Sequence, residues 1–168
     1  AKVSFYEHPE VEIVPSMRDR STYASVRDLV EDVQHFGYYG AIRLVKAAIR
    51  KFVDYCDQEK IALPDRNFQV RYRTTIPRHV GLAGSSALVT ATMKCLIEFY
   101  EVEIPREILP NLILSVETEE LGISAGLQDR VIQVYEGCVF MDFDRALMDS
   151  RGYGNYEEFD TALLPNIY

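Results

Sequence analysis

The sequence has no apolar run near the length that crosses a bilayer, and it shows no secretory signal. It also lacks an excess of basic residues, because 18 Lys and Arg stand against 26 Asp and Glu, for a formal net charge of −8. Sequence-independent nucleic-acid binding needs a basic surface, so this charge argues against that function and against an RNA-binding fold. It does not exclude an anionic small molecule, which a local cation can attract. We therefore expect a cytoplasmic protein without a membrane or nucleic-acid partner.

Cysteine is scarce as well. The three residues Cys56, Cys95 and Cys138 form no C-x-x-C pair, and no Cys/His spacing suggests a zinc site. The first two fall on the apolar sides of predicted helices, and the third falls in a strand-like run. We interpret all three as free thiols of a protein in a reducing compartment.

Internal repeats, low-complexity tracts and linkers are absent too. The 168 residues, 48% of them hydrophobic and 26% charged, fit one globular domain or one lobe of a larger protein. The chain begins without Met and already in strand-like alternation. We therefore expect residues 1–168 to be one lobe of a longer protein.

Hydrophobic periodicity predicts a mixture of strands and helices. The predicted strands cover residues 1–6, 10–14, 68–73, 138–143 and 160–164, and the predicted helices cover residues 26–36, 41–58, 87–100, 104–120 and 129–135. Residues 15–24 are predicted to form an exposed loop, and residues 144–156 a loop or a short helix.

The environments of several polar side chains near or within these elements can be predicted or narrowed to two. Tyr38 and Tyr39 precede a predicted helix and would either line a ligand site or pack in the core. Charged residues that lie off the apolar stripes are predicted to be solvated. These are Lys46, Arg50, Lys51, Glu119 and Glu120.

Small residues fill positions 81–87, between the predicted strand 68–73 and the following helix. A helix that starts at Ser85 or Ser86 presents free N–H groups and a positive dipole end to an anion. A strand, a loop of small residues and a helix N-terminus together make a phosphate cradle. The segment is neither a Walker A loop nor a Gly-x-Gly-x-x-Gly fingerprint. These residues alone leave two interpretations open, an anion site or a helix start that its serines cap.

Two carboxylates farther along the chain favour the anion site. Glu117 lies twelve residues before Asp129, with small residues between them, so the two can approach one point from successive helices. Phosphoryl transfer needs a divalent cation held by oxygen ligands and an acid that orients or deprotonates the attacking hydroxyl. Ser85, Glu117 and Asp129 would supply these parts. The alternative is that Glu117 lies on the surface and Asp129 caps a helix.

The 81–87 segment and the run that ends at Asp129 resemble two motifs of the GHMP small-molecule kinases. The second signature motif of that family, Pro-x-x-x-Gly-Leu-Gly/Ser-Ser-Ser-Ala, is similar to the residues Pro77, Gly81, Leu82, Ala83, Gly84, Ser85, Ser86 and Ala87. Ala83 and Gly84 stand where Gly or Ser followed by Ser is usual. The run Gly126-Leu127-Gln128-Asp129-Arg130-Val131, followed by Gln133-Val134-Tyr135, is more narrowly similar to the plant-type glucuronokinases.

This resemblance implies a fold and a set of site residues. The fold would be α+β, that of the GHMP kinase N-terminal, ATP-binding lobe (ribosomal protein S5 domain 2-like), with a mixed sheet packed against helices. The C-terminal lobe, with its Gly-rich third motif, would be absent from these residues. The 81–87 segment would wrap the β- and γ-phosphates of ATP, Ser85 and Glu117 would hold Mg²⁺, and Asp129 would be the catalytic acid or base.

The function that the resemblance implies is that of an ATP-dependent kinase for the anomeric hydroxyl of a sugar acid, converting D-glucuronate to D-glucuronate 1-phosphate. Arg130 would bind the carboxylate of the uronic acid, or instead pair with Asp129 or a neighbouring acid. A galactose- or heptose-type sugar-1-kinase and a noncatalytic nucleotide-binding module are alternatives. The sequence sets no oligomeric state.

Overall fold

The structure is a computed structural model, and the residues that it describes are 2–14, 21–36, 42–77 and 81–163. Tyr38 and Tyr39 therefore lie outside the described residues. The elements, in chain order, are strands β1 (Lys2–Glu7), β2 (Val11–Val14) and β3 (Ser21–Tyr23), helices α1 (Val26–Phe36) and α2 (Arg43–Gln58), strand β4 (Phe68–Arg73), helices α3 (Gly84–Tyr100) and α4 (Leu109–Ser115), a π-helical turn (Val116–Glu120), helix α5 (Gln128–Tyr135), strand β5 (Cys138–Asp142), helix α6 (Arg145–Arg151), strand β6 (Asn155–Phe159) and a 3₁₀ turn (Thr161–Leu163).

Strand β4 lies inside a four-stranded sheet of order β1-β4-β2-β3. It pairs antiparallel with β1 and parallel with β2, and β3 adds to the outer edge of β2. Parallel strands need a long crossover, and the chain between β2 and β4 carries α1 and α2. The mixed sheet packed with helices is therefore confirmed. In the chain, the next element after β4 is α3.

The core joins the sheet to α2 and α3 in one apolar cluster. Phe68 of β4 stacks on Phe5 of β1, with ring centroids 4.3 Å apart, and it meets the edge of Tyr100 of α3 at 6.1 Å. Burial raises the pKa of Tyr100 to about 12, and its hydroxyl donates to the Arg66 carbonyl at 2.9 Å. The predicted apolar stripe of α2 is confirmed, since Ile49 and Phe52 are fully buried.

The three cysteines are free thiols, as predicted. Cys56 is fully buried in the α2 stripe, and burial raises its pKa to about 11. Burial also raises the pKa of Cys95, whose thiol donates to the Val3 carbonyl at 3.4 Å. Both thiols stay protonated at neutral pH, so they behave as small packing groups.

Four element predictions need correction. Strand β3 falls inside the predicted loop 15–24, because its residues find a pairing partner in β2. The predicted helix 104–120 begins only at Leu109 and becomes π-helical at Val116. Strand β6 covers Asn155–Phe159, where it pairs antiparallel with β5, and Thr161–Leu163, inside the predicted strand 160–164, form a 3₁₀ turn. Helix α3 begins at Gly84, three residues before the predicted 87–100, so its first turn belongs to the 81–87 segment.

The predicted solvation of several charged side chains is also wrong. Lys46 is 1% exposed, and its ammonium donates to the Tyr23 hydroxyl at 2.7 Å. The π-helical turn lies beside α2, where Arg50 and Lys51 pair with Glu120 and Glu119, each at 2.7 Å. Only Glu119 of these two acids is mostly exposed, at 68%, whereas Glu120 is 13% exposed. Hydrophobic periodicity could not predict these ion pairs, because the two residues of each pair lie far apart in the sequence.

In the part of the chain that the structure describes, no helix is long and apolar enough to cross a membrane.

Gly154 provides a test of the β5–β6 pair. A Cβ at this buried position would lie 2.3 Å from the Asp142 carbonyl oxygen, so the backbone must move. We expect Gly154→Ala to lower the free energy of unfolding by about 1–3 kcal/mol in urea denaturation. The control is Gly126→Ala, whose Cβ meets nothing within 4 Å and which we expect to change stability by no more than about 1 kcal/mol. Equal urea midpoints for Gly154→Ala and Gly126→Ala would contradict the close packing of Gly154 on the Asp142 carbonyl.

Candidate functional site

The 81–87 segment includes the residues just before α3 and the first turn of that helix. Gly81 has φ +72°, a left-handed conformation that glycine adopts without strain. Ala83, the residue before α3, has φ +50°. Within the described parts of the chain, no side chain caps the start of α3. The first N–H groups of this 17-residue helix therefore have no side-chain acceptor, and such groups, together with the helix dipole, are suited to bind an anion.

The two serines of this segment have opposite environments. Ser85 is exposed, as are Gly81 and Leu82. Ser86 is fully buried, and its hydroxyl donates to the Ala83 carbonyl at 2.9 Å. Ser85 is thus accessible to a ligand, while the Ser86 hydroxyl bonds within the segment.

Glu117 and Arg130 form a buried ion pair. Glu117 lies in the π-helical turn with its side chain 2% exposed, and its Oε2 accepts a hydrogen bond from Nη2 of Arg130, whose side chain is 4% exposed. The Arg130 Nη1 donates to the Gly126 carbonyl at 2.9 Å. The surface alternative for Glu117 is therefore wrong. For Arg130, the structure shows pairing with a neighbouring acid, and its guanidinium is enclosed.

Asp129 is exposed beside this buried pair. Its side chain is 53% exposed, and its Oδ2 lies 3.5 Å from the Arg130 Nη1. It is not a helix cap, because α5 begins at Gln128 after Leu127. Asp129 is thus a solvent-accessible carboxylate in the first turn of α5.

Helix α5 connects these groups. Arg130 bonds to the π-helical turn, and Gln133 bonds to the 81–87 segment through Ala83 and Ser86. The structure thereby joins the 81–87 segment, Glu117 and Asp129 around one short helix. Sequence reasoning named Gln133 only as part of the resemblance and not as a site residue, although it lies four residues after Asp129, on the same helix face.

Ser85 and Glu117, the two residues expected from the sequence to hold Mg²⁺, both offer oxygen atoms, which are the ligands that Mg²⁺ prefers. Among the described residues, no group of three or more His, Cys, Asp and Glu side chains could hold a metal ion by itself. Mg²⁺ is commonly held by one or two carboxylates together with substrate phosphates. The exposed Ser85 hydroxyl suits this role. Glu117 is enclosed, and its Oε2 is already engaged by Arg130.

Two curated proteins of one plant are similar to this chain over most of its length. The chain is 46% identical over 152 residues to "Glucuronokinase 1" of Arabidopsis thaliana and 48% identical over 153 residues to "Probable glucuronokinase 2" of the same plant. Each alignment covers 89% of this chain and 42% of the relative. The chain thus spans less than half the length of these curated relatives.

A solved structure supports the fold. The crystal structure of Methanococcus jannaschii mevalonate kinase superimposes with a TM-score of 0.64 at 23% sequence identity. The match covers 80% of this chain and 41% of that chain. The likeness extends to the arrangement of strands and helices and carries no argument about substrate.

The family model described as "GHMP kinases N terminal domain" matches residues 43–137, more than half of the chain. That span includes β4, the 81–87 segment, the π-helical turn and α5, which are the elements that form the candidate site. The resemblance of the two motifs is therefore confirmed at the level of the family, and the chain belongs to the GHMP kinases, whose N-terminal domain it contains.

Proposed function

We propose that the complete protein is an ATP-dependent sugar kinase that phosphorylates the anomeric hydroxyl of D-glucuronate. The observation that carries this proposal is the joining of an exposed carboxylate, Asp129, to an uncapped helix start through α5. The names of the two Arabidopsis relatives support the choice of substrate. The proposal includes a cytoplasmic location, where the free cysteines stay reduced.

Asp129 would act on the sugar hydroxyl. Its carboxylate accepts the hydroxyl proton, and the sugar oxygen forms a bond to the γ-phosphorus of ATP. The bond from that phosphorus to the β–γ bridging oxygen breaks, and ADP leaves with the electron pair. The half-exposed side chain of Asp129 is accessible for this transfer.

The 81–87 segment would bind the phosphates. The N–H groups at the start of α3 donate to the β- and γ-phosphate oxygens, and the helix dipole favours their negative charge. Ser85 and Glu117 would hold Mg²⁺, which when bound neutralises charge on the transferred phosphoryl group. The positive charge of Arg130 keeps the buried Glu117 carboxylate in place.

A substrate panel tests this function. We expect the complete gene product, with ATP and Mg²⁺, to convert D-glucuronate to its 1-phosphate, measured by ADP release and by phosphorus NMR of the anomeric phosphate. Reactions without sugar measure background ATP hydrolysis. Turnover of galactose or a heptose, with no turnover of D-glucuronate, would contradict the proposed substrate and would still support a sugar kinase. Nucleotide binding without any phosphoryl transfer would favour the noncatalytic alternative.

A further inference from the structure

Helix α3 carries a row of polar residues toward α5. Ser86, Thr90 and Lys94 recur at every fourth position, so they lie along one helix face. Ser86 is fully buried and Thr90 is 4% exposed. Buried hydroxyl groups need hydrogen-bond partners. The Ser86 oxygen, whose hydroxyl already donates to Ala83, can accept one more bond, and the Thr90 hydroxyl needs an acceptor.

The side-chain amide of Gln133 supplies those partners. Its Oε1 accepts from the Thr90 hydroxyl at 2.9 Å, and its Nε2 lies 3.0 Å from the Ser86 Oγ. The same Nε2 donates to the Ala83 carbonyl at 3.3 Å. The Lys94 ammonium adds a bond to the Gln133 backbone carbonyl at 3.1 Å. One side chain thus bonds to the start of α3 and to the residue before it.

The Ala83 carbonyl determines the direction of the first donor of the anion site. It accepts from the Ala87 N–H at 3.0 Å, from the Ser86 hydroxyl at 2.9 Å and from Gln133. A trans peptide is planar, with its C=O and N–H pointing in opposite directions. Because the carbonyl points into the helix, the Gly84 N–H points out of the helix start, where it can donate to an anion.

Gln133 and Asp129 share one face of α5. They are four residues apart, a rise of about 6 Å along the helix. The helix therefore sets the distance between the proposed proton acceptor and the segment that binds the phosphates. Such control matters because misplacement of reacting groups by about 1 Å can slow a reaction about 100-fold.

We propose that Gln133 is a positioning residue that fixes the 81–87 segment in register with Asp129. This inference rests on the proposed function for its role in catalysis, while its structural part concerns the segment alone. Gln133→Glu is the matched change, because it keeps the shape of the side chain and removes the amide donor. Gln34→Glu, at an exposed position of α1, is the control.

Hydrogen exchange of the complete protein without nucleotide tests the structural part. We expect amides at the start of α3, including that of Ala87, to exchange about tenfold faster in Gln133→Glu than in wild type, and Gln34→Glu to match wild type. Unchanged exchange in folded Gln133→Glu would overturn the proposal, whether or not the protein is a kinase. Should this variant not fold, Thr90→Val, which removes the donor to the amide oxygen, carries the same test.

Steady-state kinetics tests the catalytic part. In Gln133→Glu we expect the KM for ATP to rise about tenfold, kcat to fall, and the KM for the sugar to change less than about twofold. A purely structural role would lower thermal stability and leave the KM for ATP of the folded enzyme unchanged, which would overturn the positioning role. Wild type is assayed in parallel, so a lack of any turnover there counts against the proposed function and not against Gln133.

Discussion

Asp129→Asn in the complete protein will lower kcat by about 10²–10⁴-fold and leave the free energy of unfolding within about 0.5 kcal/mol of wild type. The amide has the size of the carboxylate but cannot accept the proton of the sugar hydroxyl. The side chain is 53% exposed, and its nearest ion-pair contact is the 3.5 Å approach to Arg130, so little stability depends on it. Initial rates with saturating ATP and sugar, and urea denaturation, measure the two effects.

Asp149→Asn is a matched control for this variant. Asp149 is 72% exposed on α6, and its Oδ2 also lies 3.5 Å from an arginine, the Nε of Arg145. Both substitutions therefore remove an exposed carboxylate with one long ion pair. We expect Asp149→Asn to keep the wild-type kcat. Wild-type turnover in Asp129→Asn would remove Asp129 from the mechanism.

The local parts of the fold and site could be predicted from the sequence. Alternation in residues 68–73 and the apolar stripe of α2 gave elements that the structure confirms, because each depends on neighbouring residues. The small residues of the 81–87 segment predicted a helix start, and the helix begins there, at Gly84. Glycine and small side chains leave a strong local signal because few other residues permit such a turn.

Long-range pairing could not be predicted in the same way. Lys46 was expected in solvent, since periodicity places it off the stripe and its partner Tyr23 lies on a strand 23 residues earlier. Two adjacent serines have different environments: Ser85 is exposed, whereas Ser86 is buried with its Oγ 3.0 Å from the Gln133 Nε2 of α5. Arg130 had two possible roles until the π-helical turn placed Glu117 beside it. Each of these outcomes depends on how separate elements pack.

Breaking the Glu117–Arg130 ion pair has the largest expected effect on stability. Arg130→Met keeps much of the side-chain volume and leaves the 2%-exposed Glu117 carboxylate without its partner. Breaking a buried ion pair on one side destabilises a protein by about 3–5 kcal/mol, because the remaining charge stays out of water. We expect a loss of that size in the free energy of unfolding from urea denaturation.

A double-mutant cycle separates the ion pair from general packing. Glu117→Leu alone leaves the Arg130 guanidinium buried and unpaired, whereas Arg130→Met with Glu117→Leu removes both charges together. We expect the double variant to recover most of the loss, since apolar groups can replace a buried pair at little cost. The control is Arg27→Met, which breaks a bidentate pair with Asp57 that is about half exposed, and here we expect a loss below about 1 kcal/mol. Additive losses in the cycle, or an Arg130→Met loss no larger than that of Arg27→Met, would show that the buried charges do not depend on each other.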